Sequence, residues 1–154
     1  MLSIAHHPIY QLPLPEGHRF PMEKYDLLPR QLLHEGTCTA EDFFVPTKID
    51  SSVIERVHTP AYVKRLLDFA LDRKEIRKIG FPLSEQLIER EIIIAGGTLE
   101  GSIKALDTGI AMNIAGGTHH AFSGKGEAFC LLNDQAIAAQ YLLDHQKAKK
   151  ILIV

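Results

Sequence analysis

Cysteine is scarce in this 154-residue chain, with Cys38 and Cys130 the only two. They stand far apart in unlike contexts, which excludes a CxxC pair and a disulfide framework and makes a reducing, cytoplasmic setting the default expectation. An excess of positive charge is missing as well: 17 Lys and Arg stand against 19 Asp and Glu, for a formal net charge of −2. Nucleic-acid binding needs a clustered surplus of cations, so no nucleic-acid partner is expected. No segment approaches the roughly 20 apolar residues of a membrane span. The start, Met1-Leu2-Ser3-Ile4-Ala5-His6-His7-Pro8, has no basic stretch followed by a long apolar run; the expectation is a protein neither secreted nor embedded in a membrane. Repeats and low-complexity tracts are absent too. The composition, 45% hydrophobic and 23% charged, is that of an ordinary globular chain long enough for one domain with a core.

Proline and glycine punctuate the pattern. Residues 8–21 contain Pro8, Pro13, Pro15, Pro21 and Gly17, which forbids a helix and predicts a surface loop after a short strand at Ser3–Ala5; loops of this length are often functional. Residues 22–35 read as a helix with Tyr25, Leu28, Leu32 and Leu33 on one face and Gly36 as its stop. Phe43-Phe44-Val45, ending at Pro46, reads as a second strand. From Ser51 the pattern is helical again. Thr59 before Pro60 is a good N-cap, and that helix is expected to reach about Asp72, with Tyr62, Leu66, Phe69 and Ala70 at helical spacing and Tyr62 in the core. Ser84 opens a long helix running to about Leu106. Gly96, Gly97 and Gly101 lie inside it, where each glycine costs ~1 kcal/mol against alanine, so close packing against a neighbour is expected.

Gly109–Ala115 is apolar enough for a buried strand, Asn133–His145 is helical, and Lys150–Val154 reads as a further apolar strand. Strand, helix, strand is a βαβ crossover. The expected fold class is therefore α/β with a mostly parallel sheet, in which ligands sit beyond the carboxyl ends of the strands. Ile151-Leu152-Ile153-Val154 has the look of a central strand with no loop after it, so the chain reads as cut within a domain.

Chemistry concentrates in Ala115-Gly116-Gly117-Thr118-His119-His120-Ala121, continuing through Gly124, Gly126 and Glu127 to Ala128-Phe129-Cys130-Leu131-Leu132-Asn133-Asp134. The segment follows a predicted buried strand and precedes a helix. Two adjacent histidines there can serve as acid and base, because imidazole changes charge near neutral pH, and the glycines let the backbone turn tightly in front of them. A purely structural role and a metal-ligand role stay open. Adjacent residues seldom point the same way, and no Asp, Glu or Cys set at zinc spacing completes a site, which favours acid–base work or orientation over ligation. A phosphate loop does not fit: Gly117 to Gly124-Lys125 is too long a spacing, and Gly126 stands where Ser or Thr should follow the lysine. Gly96-Gly97-Thr98-Leu99-Glu100-Gly101 lies within a helix instead of opening one, so it is no dinucleotide fingerprint.

The run Gly116-Gly117-Thr118-His119-His120-Ala121, with Phe129-Cys130 and Asn133-Asp134 downstream, resembles the Gly-Gly-x-His-His-Ala, Gly-Phe-Cys and Asn-Asp pattern of the histone deacetylase superfamily. Gly17-His18-Arg19-Phe20-Pro21-Met22, Val57-His58-Thr59-Pro60-Ala61-Tyr62-Val63 and Ala95-Gly96-Gly97-Thr98 extend the similarity over nearly the whole chain. The Gly-His-Arg-Phe-Pro form looks more like bacterial and class IV-like members. The resemblance implies a three-layer α/β/α fold of arginase/deacetylase type, incomplete here, with residues 1–154 forming the N-terminal part of a single deacetylase domain. It implies zinc-assisted hydrolysis of an N-acetyl amide, with His120 as general base and then acid and His119 tuning charge on the other side of the attacked water. By the same resemblance Phe129 walls a narrow substrate tunnel and Cys130 lies near its floor. Gly116, Gly117, Asn133 and Asp134 are structural residues near the site, Asn133-Asp134 first of all as a helix cap. The implied partner is an acetylated lysine or an acetylated small amine such as a polyamine.

Two departures qualify the likeness. Ala128 stands where the family has glycine before Phe-Cys, which puts a positive backbone angle there in question. The family's metal-binding Asp-x-Asp-x-His run follows a strand like Ile151–Val154 and is not in these residues, nor are its later aspartate ligand and tyrosine. No metal ligand, no zinc bound by this chain alone and no deacetylase activity from it are therefore expected. The alternative is a non-catalytic remnant or binding subunit of the same fold.

Overall fold

Three short runs build one parallel sheet in the computed structural model, which describes residues 2–154. β1 (Ser3–Ala5) is central, with β2 (Phe43–Phe44) on one side and β3 (Ala111–Asn113) on the other. Ile4 stands opposite Phe43 and Met112, and Ala5 opposite Phe44 and Asn113. Parallel neighbours need crossovers. The first carries α1 (Lys24–His34); the second carries α2 (Ser51–Ile54), α3 (Pro60–Leu67), α4 (Arg73–Ile79) and α5 (Glu85–Thr108); α6 (Asp134–Asp144) follows β3. This is the α/β fold with a parallel sheet that the sequence predicts. Among the described residues no helix is long and apolar enough to cross a membrane.

α5 organises the rest. Its start is fixed by Ser84, whose Oγ accepts the Leu87 N–H at 3.1 Å, and its end by Gly109 in the left-handed region at φ +86°. A Cβ on Gly96 would come within 2.0 Å of the Thr47 carbonyl oxygen, and one on Gly97 within 2.6 Å of Tyr10 Oη and 3.1 Å of Ala5 Cβ. The helix backbone is thus pressed onto the sheet, as the glycines in the sequence anticipate. α6 packs along α5, and the core continues through Tyr62, Leu66, Leu87, Ile94, Leu131 and Ile137. Tyr62 is buried, its hydroxyl donating to the Leu131 carbonyl at 2.9 Å.

An ion pair lies inside this core. Arg90 and Glu91 are 2% and 1% exposed. The Arg90 guanidinium bonds Glu91, donates from Nε to the Tyr10 carbonyl at 2.8 Å, and lies 5.0 Å from the Tyr25 ring centre. Burial pushes the Glu91 carboxyl above its ordinary range, and Arg90 offsets part of that. Glu91 Oε2 has no hydrogen-bond partner among the described residues.

Several expectations are corrected. The helix beginning at Pro60 stops at Leu67 instead of reaching Asp72, because Phe69 turns left-handed at φ +57°. Asp72 then caps α4: its carboxylate accepts the Lys74 and Glu75 N–H groups at 2.7 and 2.8 Å while Glu75 bonds back to its N–H. Phe69 and Ala70 kept helical spacing across a real break, and both are exposed. In α1 the covered residues are Tyr25 and Pro29, whereas Leu28 and Leu33 of the expected apolar face are exposed. The loop over 8–21 contains one 3-10 turn, Pro8–Tyr10, and buries Tyr10 and Leu12. Lys150–Val154 is not a strand. An apolar run becomes one only when its N–H and carbonyl groups join a ladder; here the run lies beside Thr98, Gln135 and Leu142 and pairs with no strand among the described residues, with Leu152 83% exposed.

Candidate active site

β3 ends at Asn113 and the chain has to turn back to reach α6. Gly117 makes that turn at φ +90°, a backbone region that disfavours any residue with a Cβ. The turn is held by Asp134, the first residue of α6, whose side chain is fully buried. Its Oδ2 accepts the Gly117 N–H at 2.9 Å and the Thr98 hydroxyl at 2.5 Å; its Oδ1 accepts the Thr118 N–H at 2.7 Å. Thr118 Oγ1 lies 2.8 Å from Oδ1 and 2.6 Å from the Leu132 carbonyl, with one proton for both. Asn113 extends the network, donating from Nδ2 to Thr98 Oγ1 and to the Ile94 carbonyl, each at 2.8 Å. Gly116 sits inside it, where a Cβ would meet Asp134 Oδ2 and Thr98 Oγ1 at 3.0 Å. Asn133, not Asp134, is the cap of α6: its Oδ1 accepts the Ala136 N–H at 3.0 Å.

The two imidazoles that follow lie together. Their ring centres are 4.2 Å apart with the planes tilted by 40°, and both side chains are exposed. The expectation that neighbours point apart fails because the tight turn swings both rings to one side. His119 Nδ1 is 2.9 Å from the Gly117 carbonyl oxygen, which can only accept, so the proton of the neutral ring is on Nδ1 and Nε2 is left with its lone pair. The Cys130 thiol donates to the Ala128 carbonyl at 3.5 Å; burial pushes it up to about 11, so it stays protonated at neutral pH. Glu127 is held below the ordinary carboxylate range by Lys125, 3.1 Å away.

Behind the pair stands a residue that sequence reasoning missed. His58, 1% exposed at the corner between α2 and α3, accepts the Asn133 N–H on Nε2 at 3.0 Å. Its position inside Val57-His58-Thr59-Pro60 was the available signal. Asn133 Nδ2 reaches back to the Ala121 and His119 carbonyls at 3.1 and 3.4 Å.

Phe129 belongs to a different cluster. Glu127 and Cys130 exchange backbone hydrogen bonds at 3.0 Å, closing a two-residue turn in which Ala128 has φ +47° and Phe129 φ +66°. Two positive angles are the hallmark of the type I′ turn, for which Asn-Gly is the usual choice. The carbonyls of Lys78 and Ile79 at the end of α4 hold it there, accepting the Ala128 and Phe129 N–H groups at 3.0 and 2.7 Å. Ala128 does adopt the positive angle that the sequence put in question. The Phe129 ring thereby packs on Phe20 and Phe81 at 4.9 and 5.0 Å, with the Arg19 guanidinium 4.9 Å above it. His18 fastens this edge, bonding Gly80 O at 2.8 Å. Ala128→Gly should stabilise the chain by about 0.5–1 kcal/mol, since relief of left-handed strain, roughly 1–2 kcal/mol, exceeds the entropy that glycine adds to the unfolded chain. A lower urea midpoint for this variant would show that the turn is not strained.

A cleft of about 580 Å³ runs along Gln11–Glu23 and touches His18 and Phe20 of that cluster. His119 and His120 are outside its lining. Among the described residues no three His, Cys, Asp or Glu side chains converge where they could hold a metal ion.

Comparison with known proteins bears on this arrangement. The Histone deacetylase domain family matches residues 18–154. An uncharacterized protein of Picosynechococcus is 43% identical over 151 residues, covering 98% of this chain and 50% of that protein. Human Histone deacetylase 1 is 25% identical over 143 residues, 86% of this chain and 30% of its own length. The crystal structure of an HDAC homolog from Aquifex aeolicus superposes with a TM-score of 0.72 at 19% identity, over 94% of this chain and 41% of that one. This chain thus spans half or less of the length of the proteins it matches.

Proposed function

Because the chain belongs to the histone deacetylase family, we propose that it supplies the histidine half of an active site that hydrolyses an N-acetyl amide. The observation that carries this reading is the pair of rings 4.2 Å apart at the exit of β3, on a loop clamped by a buried carboxylate. In this reading His120 takes the proton of the attacking water and returns it to the amine as the C–N bond breaks; His119 faces the same water through its free Nε2. The half-buried Phe129 gives an apolar face suited to the methylene stem of acetyl-lysine or of an acetylated small amine. The protonated Cys130 thiol suits a place lining the pocket better than one as nucleophile.

Zinc enters as the cofactor of the complete enzyme, where it would polarise the acetyl carbonyl and activate water. The ligand set is absent from the side chains described above, and no step is drawn through the metal. Residues 1–154 are accordingly proposed to be the N-terminal part of one deacetylase domain, inactive alone. A polypeptide extended beyond Val154, loaded with zinc, should deacetylate an acetyl-lysine peptide or an acetylpolyamine, and His120→Ala should lower kcat/KM by about 100-fold or more. Undiminished turnover in that variant would remove His120 from the reaction. Tight stoichiometric zinc binding to the 154-residue chain in a calorimeter would overturn the division of the site.

A further inference from the structure

We propose that His58 is a positioning residue for the histidine pair, a buried imidazole that joins the loop after His120 to the first turn of α6. The inference gives the proposed site a second support but rests for its catalytic meaning on the reading above. Asp134 fixes the residues before the pair, Gly117 and Thr118. The residues after it need their own anchor, because His119 and His120 are exposed and the next regular element begins only at Asp134.

His58 meets that need from 75 residues away. Accepting the Asn133 N–H on Nε2 requires a lone pair there, so the ring is neutral with its proton on Nδ1. Nδ1 in turn faces the backbone carbonyls of Phe122 and Ser123, without a well-aligned bond to either. Thr59, the next residue, donates its own N–H to the Ser123 carbonyl at 2.8 Å, which keeps that strand of loop against the corner. With its backbone held by His58, Asn133 presents Nδ2 to the His119 and Ala121 carbonyls and Oδ1 to α6. One imidazole therefore sets the orientation of the residue that grips both sides of His120. Burial lowers its pKa, which keeps the accepting lone pair available at neutral pH.

The experiment is NMR on the 154-residue chain, which needs neither substrate nor metal, so its failure is separable from failure of the deacetylase reading. In the wild type, long-range nitrogen–proton correlations should show His58 as the Nδ1–H tautomer; a proton on Nε2 overturns the proposal. In His58→Leu, which fills the space but cannot accept, the Asn133 amide should exchange at least tenfold faster and the NOE between the His119 and His120 rings should weaken. His58→Gln, whose side-chain oxygen can accept, should keep Asn133 protection within threefold of wild type. A folded leucine variant with unchanged protection and NOE refutes the positioning role. If the leucine variant does not fold, loss of Asn133 protection in the glutamine variant refutes it equally.

Discussion

Asp134→Ala should cost the chain about 3–5 kcal/mol, a large share of the roughly 5–15 kcal/mol of total stability typical of a folded domain. The carboxylate is fully buried and takes hydrogen bonds from Gly117, Thr118 and Thr98, which come from the loop and from α5. Hydrogen bonds to a charged group contribute about 1.5–3 kcal/mol each, and buried donors left behind cost about 1–3 kcal/mol more. The sum is not additive, and the Gly117 N–H can recover water because that residue is exposed, which brings the expectation down to the range stated. Asp134→Asn keeps the shape but turns an amide donor toward donors, so it should recover less than half of the loss. Urea unfolding followed by far-UV circular dichroism reads both variants. An alanine variant within about 0.5 kcal/mol of wild type would mean the loop needs no clamp, since surface substitutions have effects of that size.

Arg90→Met should be nearly as damaging, at about 3–5 kcal/mol near neutral pH, because it leaves Glu91 in the core without its counter-ion. The loss should depend on pH in a defined direction. Burial already raises the Glu91 carboxyl, and removal of Arg90 raises it further. A carboxyl with a folded pKa above its unfolded value, about 4.3, binds more protons in the native state. Its contribution is therefore complete below the unfolded value and is lost as pH climbs through the folded one. The deficit of Arg90→Met should be larger at pH 8 than at pH 5. Replacing Glu91 by leucine in the same chain should recover most of it, as apolar substitution of a buried pair often does. Equal deficits at the two pH values would show that Glu91 stays ionised without its partner.

What could be read from the residues alone divides along a physical line. Caps were legible because they depend on neighbours within a turn: Thr59 and Ser84 accept N–H groups three residues on; two of the three glycines inside α5, Gly96 and Gly97, were legible from their cost in a helix and do lie where a Cβ would collide. The parallel sheet was expected from a strand–helix–strand crossover ending at Lys150–Val154; the sheet is there, but its crossovers run between β1, β2 and β3 instead. Periodicity failed at Phe69, where a left-handed non-glycine residue interrupts a spacing that carries on beyond it, and at Ile151–Val154, where apolarity lacked a ladder to join. At the site, the paired histidines were visible as residue types. Their supports were not: His58 reaches Asn133 across 75 positions, and Thr98 reaches Asp134 across 36. Nothing in local sequence chemistry encodes such meetings; the docking of α6 on α5 and against the corner between α2 and α3 produces them.

The clamp at Asp134 has a consequence for the order in which the molecule assembles. It draws together residues 98, 113, 117, 118 and 134, and closing that circuit has an entropic cost that is recovered only once both helices are in place. The histidine loop is therefore expected to order late on the folding pathway, after the helical scaffold beneath it.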